Sequence, residues 1–345
     1  MAKFIRSLAL VWIVFQSAFT WAFDSLYPKT TFQSTFTQRE ECLAFASTAL
    51  AYRDAALQAR YQKIDPVDGT IKHNNYSRIY LGQHNTAVLL LHGFSASPFE
   101  VEEVAKYLHQ HNQYTVIIPL IEGFGATAHI ANQHTLKDWQ RGVREDIALL
   151  SLCYDKVILG GFSLGAALLT DYLFTMAQPN PKMVGFFSLS PFLDTNSMFL
   201  DFLQNVMGTF QDSYSYQFMY DMSENQDIKV ILQYPEYYLT EFPMKASKQV
   251  IHLGELLNKK AARAKLNLPY FLSYTDSDTV ISQKVAAAIY RNNFGDQKEQ
   301  LIYSKELKIP HQITRPEVNP LIEDLLFRIS AFTNQIAPEL QYDAK

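Results

Sequence analysis

The run Lys156-Val-Ile-Leu-Gly-Gly161-Phe162-Ser163-Leu164-Gly165, continued by Ala166 to Met176, decides the fold. Lys156 to Gly161 is a mostly apolar segment of strand length, and Leu164 to Met176 has the apolar spacing of a helix, so the junction predicts a strand that turns sharply into a helix. Working upstream, Thr135 to Leu150 reads as a helix and Tyr114 to Ile121 as a strand. Before them, Ala87-Val-Leu-Leu-Leu-His92 is a continuous apolar strand, followed by Gly93 and a helix from Pro98 to Leu108 with apolar residues at Val101, Val104 and Leu108. Downstream, Val184 to Leu189, Pro269 to Tyr274 and Gln300 to Tyr303 supply further strands, and Pro320 to Thr333 a closing helix. Strands that alternate with helices and are apolar throughout predict an α/β fold with a mostly parallel central sheet flanked by helices.

Composition sets the outer limits. The 345 residues are 48% hydrophobic and 19% charged, which excludes a disordered or low-complexity chain. A net charge of −4 without a long basic run excludes nucleic acid as an expected partner and leaves small molecules or lipids. At the N-terminus, Lys3 and Arg6 precede an apolar stretch from Leu8 to Phe19, with Thr20 and Ala22 at the −3 and −1 positions of a cleavage site before Phe23. This predicts a signal peptide over 1–22 and a secreted or periplasmic protein; the alternative is an uncleaved anchor over Ser7 to Phe23. Cys42 and Cys153 form either one disulfide or two buried thiols.

Thr37 and Glu40 make a capping-box pattern before an Ala-rich helix reaching about Lys63. Pro66 and Asp68-Gly69 mark a turn, and Ile71 to Leu81 is expected to form an outer strand. Between Phe192 and Phe242 the rhythm breaks: 12 aromatics fall in 51 residues, with Met198, Met207, Met219 and Met222 among them. An inserted helical cap is expected here, packing on its own small core, walling a substrate pocket, or both. The chain therefore divides into a leader (1–22), an N-terminal helical extension (23–70), a first core part (71–193), a cap (194–267) and a second core part (268–345).

Gly161 and Gly165 let strand and helix approach while the Ser163 hydroxyl projects from the strand end, the geometry of an activated serine. Such a serine needs a base and an orienting acid, and folds that carry it on a strand-to-helix turn of this kind place them later in the chain, in the order Ser, Asp or Glu, His. His311 is the only histidine after His252, and it follows the last expected strand. In Tyr274-Thr-Asp276-Ser-Asp278-Thr-Val280 either carboxylate can reach an imidazole; Asp278 is preferred, with Asp276 assigned to the turn. The peptide N–H groups of Phe94 and Leu164 are the candidate oxyanion donors. His92 is read as structural, and His129 and His134 as solvated loop residues, since their spacing does not suit two ligands on one helix face. Asn75-Tyr76-Ser77 matches a glycosylation acceptor that matters only on a eukaryotic secretory route.

These residues together resemble the α/β-hydrolases, in particular the bacterial carboxylesterase and monoacylglycerol lipase branch, over about residues 85 to 335. The resemblance rests on Leu90-Leu-His-Gly-Phe94, on Asp138-Trp139 with Val143 and Asp146, on Gly161 to Gly165, and on Asp278-Thr-Val280. It implies an α/β-hydrolase fold and serine-dependent hydrolysis of acyl esters under a mobile cap, with Phe94 and Leu164 as oxyanion donors. The chain departs from the family pattern at Phe124, where a histidine is frequent, at Thr275, where a glycine is frequent, and at Pro310, where a small residue is frequent.

The expected function is cleavage of carboxylic acyl esters through Ser163, Asp278 and His311, with no cofactor and no metal. A monoacylglycerol, a lysolipid or a simple ester is the expected substrate, and any peripheral membrane contact falls to the cap. An acyltransferase or peptidase would use the same three residues, whereas a non-catalytic lipid-binding protein would have no need to keep them.

Overall fold

The computed structural model describes residues 25–28, 31, 39–176, 180–195 and 211–338. The leader, Thr37 of the expected capping box, and Met198 and Met207 of the insert lie outside the described residues.

Seven strands form the main sheet: β1 (Arg78–Tyr80), β2 (Thr86–Leu91), β3 (Thr115–Ile118), β4 (Lys156–Phe162), β5 (Met183–Leu189), β8 (Tyr270–Thr275) and β9 (Lys298–Tyr303), in the spatial order β1-β3-β2-β4-β5-β8-β9. Only β1 runs antiparallel to its neighbour. β2 lies between β3 and β4 and is buried at every position, which is why it reads as an unbroken apolar run. Its side chains alternate between two cores, Ala87, Leu89 and Leu91 facing one and Val88 and Leu90 the other.

The second of these cores is closed by α2 (Glu102–Asn112) and, much later in the chain, α10 (Ile322–Ile336), which pack on each other. The first is covered by α1 (Arg39–Ile64), α4 (Leu136–Cys153) and α5 (Leu164–Thr175). The short α3 (Ala128–Ala131) precedes α4, whose start is fixed by the Asp138 carboxylate accepting from the Thr135 N–H at 2.9 Å and hydroxyl at 2.8 Å.

The outer strand is shorter than Ile71 to Leu81. Residues 71–77 are drawn off the sheet, because the Lys72 N–H donates to the Gly125 carbonyl and a 3-10 turn, His73–Asn75, buries Asn75 against the same carbonyl. His134 also departs from the solvated reading: it is buried, its Nδ1 2.8 Å from the Ile130 carbonyl oxygen.

Between β5 and β8 the described part of the insert is not wholly helical. An antiparallel ribbon, β6 (Ser213–Ser215) with β7 (Glu241–Pro243), brackets α6 (Tyr216–Ser223) and α7 (Gln226–Gln233), and α8 (Met244–Ala261) then lies along α5. Tyr214, Tyr216, Met219, Ile228, Phe242 and Met244 make a small apolar core there, against which Phe94 packs. α9 (Gln283–Asn293) follows β8.

The N-terminal helix is built into the core. Arg53 of α1 is buried, its Nε 3.1 Å from Asp146 on α4 and its Nη1 donating to the Leu120 carbonyl at 2.8 Å. Cys42 and Cys153 are joined as a disulfide that ties α1 to the end of α4. Because this bond closes 111 residues of chain, opening it frees a large unfolded ensemble. Reduction, or Cys42→Ala with Cys153→Ala, is expected to lower the unfolding free energy by about 2–4 kcal/mol. Urea denaturation with and without reductant checks this; an unchanged midpoint would contradict it.

Candidate active site

Ser163 caps the N-terminus of α5 with φ 49° and ψ −114°, a positive-φ conformation uncommon for a residue with a side chain. The two glycines around it make that turn possible. A Cβ at Gly161 would lie 2.5 Å from the Ala166 nitrogen, and one at Gly165 would lie 2.5 Å from the Leu91 carbonyl oxygen. The in-register pairing of Leu91 with Gly161 sets the loop after β2 beside the elbow.

The structure brings Asp278 and His311 to this serine. His311 Nδ1 donates to Asp278 Oδ2 at 2.7 Å, which leaves Nε2 to accept from the Ser163 hydroxyl at 2.9 Å. All three side chains are buried. The other carboxylate oxygen of Asp278 accepts the N–H groups of Val280 and Ile281 at 2.8 and 3.1 Å, so the acid is held from behind. Asp276 is exposed and is not brought to His311. Nor does it cap the turn: Thr275 Oγ1 accepts the Ser277 N–H instead, at 3.2 Å.

Of the expected oxyanion donors, Leu164 directly follows Ser163 in the elbow and Phe94 lies in the loop after β2. Leu164 is the first residue of α5, where a peptide N–H has no intrahelical acceptor, and Phe94 is in the wall of the cavity that contains Ser163. The loop bearing Phe94 is held on several sides. The Gly93 N–H donates to Glu100 Oε2 at 2.6 Å, the Tyr216 hydroxyl to Ser95 Oγ at 2.7 Å, and the Leu239 N–H to the Ser95 carbonyl at 2.9 Å. His92 Nε2 accepts the Ile121 N–H at 3.0 Å, so its proton is on Nδ1, which donates to the Gly93 carbonyl at 2.8 Å. Burial pushes this imidazole down to about 3, so it stays neutral and serves the backbone.

Phe124, one of the departures from the family pattern, supports the same loop. Its ring meets Phe94 edge-on at 5.4 Å and stacks on Trp139 at 5.8 Å, between glycines at φ 94° and 82°. The Tyr61 hydroxyl of α1 accepts the Gly123 N–H at 2.6 Å, which links the N-terminal helix to this wall.

Above Ser163 the cavity is walled by apolar side chains, among them Phe192, Met219, Ile228, Phe242 and Val250. Two further carboxyls line it, Glu100 and Asp227. Burial pushes Glu100 up to about 7 and Asp227 up to about 6. Burial also pulls the His311 imidazole down, but Asp278, Asp227 and Glu100 together outweigh it and leave His311 above its ordinary 6.5. Neither extra carboxyl was legible as a site residue. Glu100 falls within the segment read as the helix Pro98 to Leu108, and Asp227 within the insert read only as a helical cap.

The parallel sheet, the serine in its strand-to-helix turn, and the acid and histidine on later loops define an α/β-hydrolase. Residues 82–313 match the family model described as "Hydrolase_4: Serine aminopeptidase, S33", and the chain belongs to this family. No curated protein sequence matches it. Among solved structures it is similar to an enzyme from a study of LipS and LipT, two metagenome-derived lipolytic enzymes, with TM-score 0.58 and 20% identity over 77% of this chain and 100% of that one. It is also similar to a monoacylglycerol lipase from Paleococcus ferrophilus, with TM-score 0.57 and 18% identity over 76% and 99% of the two chains. A monoglyceride lipase from Saccharomyces cerevisiae gives TM-score 0.55 and 14% identity over 76% and 92%. At these identities the likeness is one of fold.

Proposed function

We propose that this protein is a serine esterase or lipase that cleaves carboxylic acyl esters through an acyl-enzyme. The observation that carries the reading is the unbroken chain of hydrogen bonds from Asp278 through His311 to Ser163 at the floor of an apolar cavity. His311 Nε2 takes the Ser163 proton as Oγ attacks the ester carbonyl, and Asp278 holds the tautomer and stabilises the imidazolium. The Phe94 and Leu164 N–H groups receive the negative oxygen of the tetrahedral intermediate. His311 then gives its proton to the leaving alcohol, and water, activated by the same base, releases the acid. We read 194–267 as a cap over this site, with its apolar wall taking the acyl chain.

An acyl ester fits this wall better than a peptide. An aminopeptidase must hold a substrate ammonium, and here the carboxyls of Asp227 and Glu100 already accept backbone N–H groups of His311 and Gly93. The lipolytic fold neighbours support the same choice. The expected leader over 1–22 and the Cys42–Cys153 disulfide support export to an oxidising compartment.

Hydrolysis of p-nitrophenyl esters from acetyl to palmitoyl tests the proposal. Turnover with a chain-length optimum is expected, and amide turnover exceeding ester turnover would replace this reading. kcat/KM is expected to fall with acidification as His311 gains a proton, with the limb above pH 6.5 because the folded imidazole is raised. A limb at or below 6.5 would contradict that electrostatic picture.

A further inference from the structure

The insert reaches the two loops that carry the acid and the base. The His311 N–H donates to Asp227 Oδ1 at 2.7 Å, and Gln312 Nε2 donates to the Asp227 carbonyl at 3.2 Å. Two residues earlier, Asn225 Nδ2 donates to Oγ1 of Thr279, next to Asp278, at 3.3 Å. The Asn225 side-chain oxygen accepts the Asp227 N–H at 2.8 Å, which fixes the first turn of α7 in this grip. Asp227 is buried, and among the described residues no lysine or arginine makes an ion pair with it. A buried carboxylate without a standing cation is costly. Here it faces a histidine that, above its acidic limb, is neutral at rest and becomes a cation when Ser163 surrenders its proton.

We propose that Asp227 is a positioning residue for His311: from the cap it fixes the backbone of the base and supplies a second negative charge for the imidazolium that forms during acyl transfer. The inference rests on the Ser163, Asp278 and His311 reading above. It also gives the cap a part in the chemistry, since moving α7 off the core would release the base's backbone and remove this charge. The groups facing His311 are Asp278 from the loop after β8, Glu100 from the turn after β2, Asp227 from α7 and Ser163 from the elbow. Arg315, further along the His311 loop, and Tyr238 of the insert lie beside Glu100. Burial and His311 act on Asp227 in opposite directions, as expected for an acid held ready for that imidazolium.

The test is the pH dependence of Ser163 labelling by a fluorophosphonate, which needs no ester substrate. It is run on the full chain and on Asp227→Asn and Asp227→Ser, two neutral replacements that keep an accepting oxygen; either one, folded by circular dichroism, suffices. Removing the charge is expected to shift the acidic limb down by about half a pH unit and to lower the plateau rate about threefold. Asp227→Glu should return the limb to within about 0.2 units of the parent. An unshifted limb in a folded neutral variant would overturn the proposal, even if the plateau fell, because that is what a purely structural role produces. No labelling of the parent protein at any pH would instead refute the triad reading on which it rests.

Discussion

Ser163→Ala is expected to reduce ester turnover by about 10⁴- to 10⁶-fold. The magnitude follows from the chemistry assigned to that oxygen. Without Oγ there is no acyl-enzyme, and what remains is water attack assisted by His311 and by the peptide donors proposed at Phe94 and Leu164. The substitution should leave folding nearly untouched. It removes one hydrogen bond at 2.9 Å to an imidazole that opens on the cavity, and it keeps a side chain at φ 49° that the glycine-flanked turn already accommodates. The measurement is kcat/KM on the best ester of the p-nitrophenyl series, with thermal unfolding run alongside. Turnover within tenfold of the parent from a folded Ser163→Ala protein would exclude Ser163 as the nucleophile.

Asp278→Asn is expected to cost about 10³- to 10⁴-fold in kcat, whereas Asp276→Asn should cost less than about twofold. Asp278 uses both oxygens, one for the Val280 and Ile281 N–H groups and one for His311 Nδ1. An asparagine can satisfy only one of these sides. If its oxygen stays with the backbone, its amide N–H faces Nδ1 and forces the imidazole proton onto Nε2, where it cannot accept from Ser163. Loss of the negative charge also lowers the His311 pKa, so the residual activity should extend to more acid pH than the parent's. Asp276 is exposed and makes no contact with His311, so its neutral variant should behave as parent. Equal losses in the two variants would refute the assignment of the acid.

Much of this arrangement is legible in the sequence because local rules agree with the global fold. Thr86–Leu91 and Lys156–Phe162 are interior parallel strands, so burial on both faces writes them as apolar runs that any reading finds. Gly161 and Gly165 are fixed by a steric requirement on either side of Ser163, and chain order then narrows the base to His311. The choice of Asp278 over Asp276 turns on a loop conformation, and the sequence pattern only ranks the two.

Other features were hidden for physical reasons. The outer strand shrinks to three residues because Lys72 and Asn75 bond to Gly125, some fifty positions away, and no local pattern records such a partner. The Cys42–Cys153 bond spans 111 residues and depends on how α1 lies on α4. Tyr61, Glu100 and Asp227 look like ordinary helix residues, and their roles arise only where α1, the loop after β2 and the insert converge on the base and its neighbouring wall. The ribbon of β6 and β7 was likewise masked by the aromatic content that marked the whole insert as helical.

Whether Ser163 carries the acyl group is decided by acid-quenching the protein during turnover of a p-nitrophenyl ester and mapping the acyl mass by peptide mass spectrometry. One acyl adduct is expected, on the peptide containing Ser163, and it disappears on longer incubation as water releases it. Turnover without any adduct at Ser163, or with the acyl group on another residue, would contradict it.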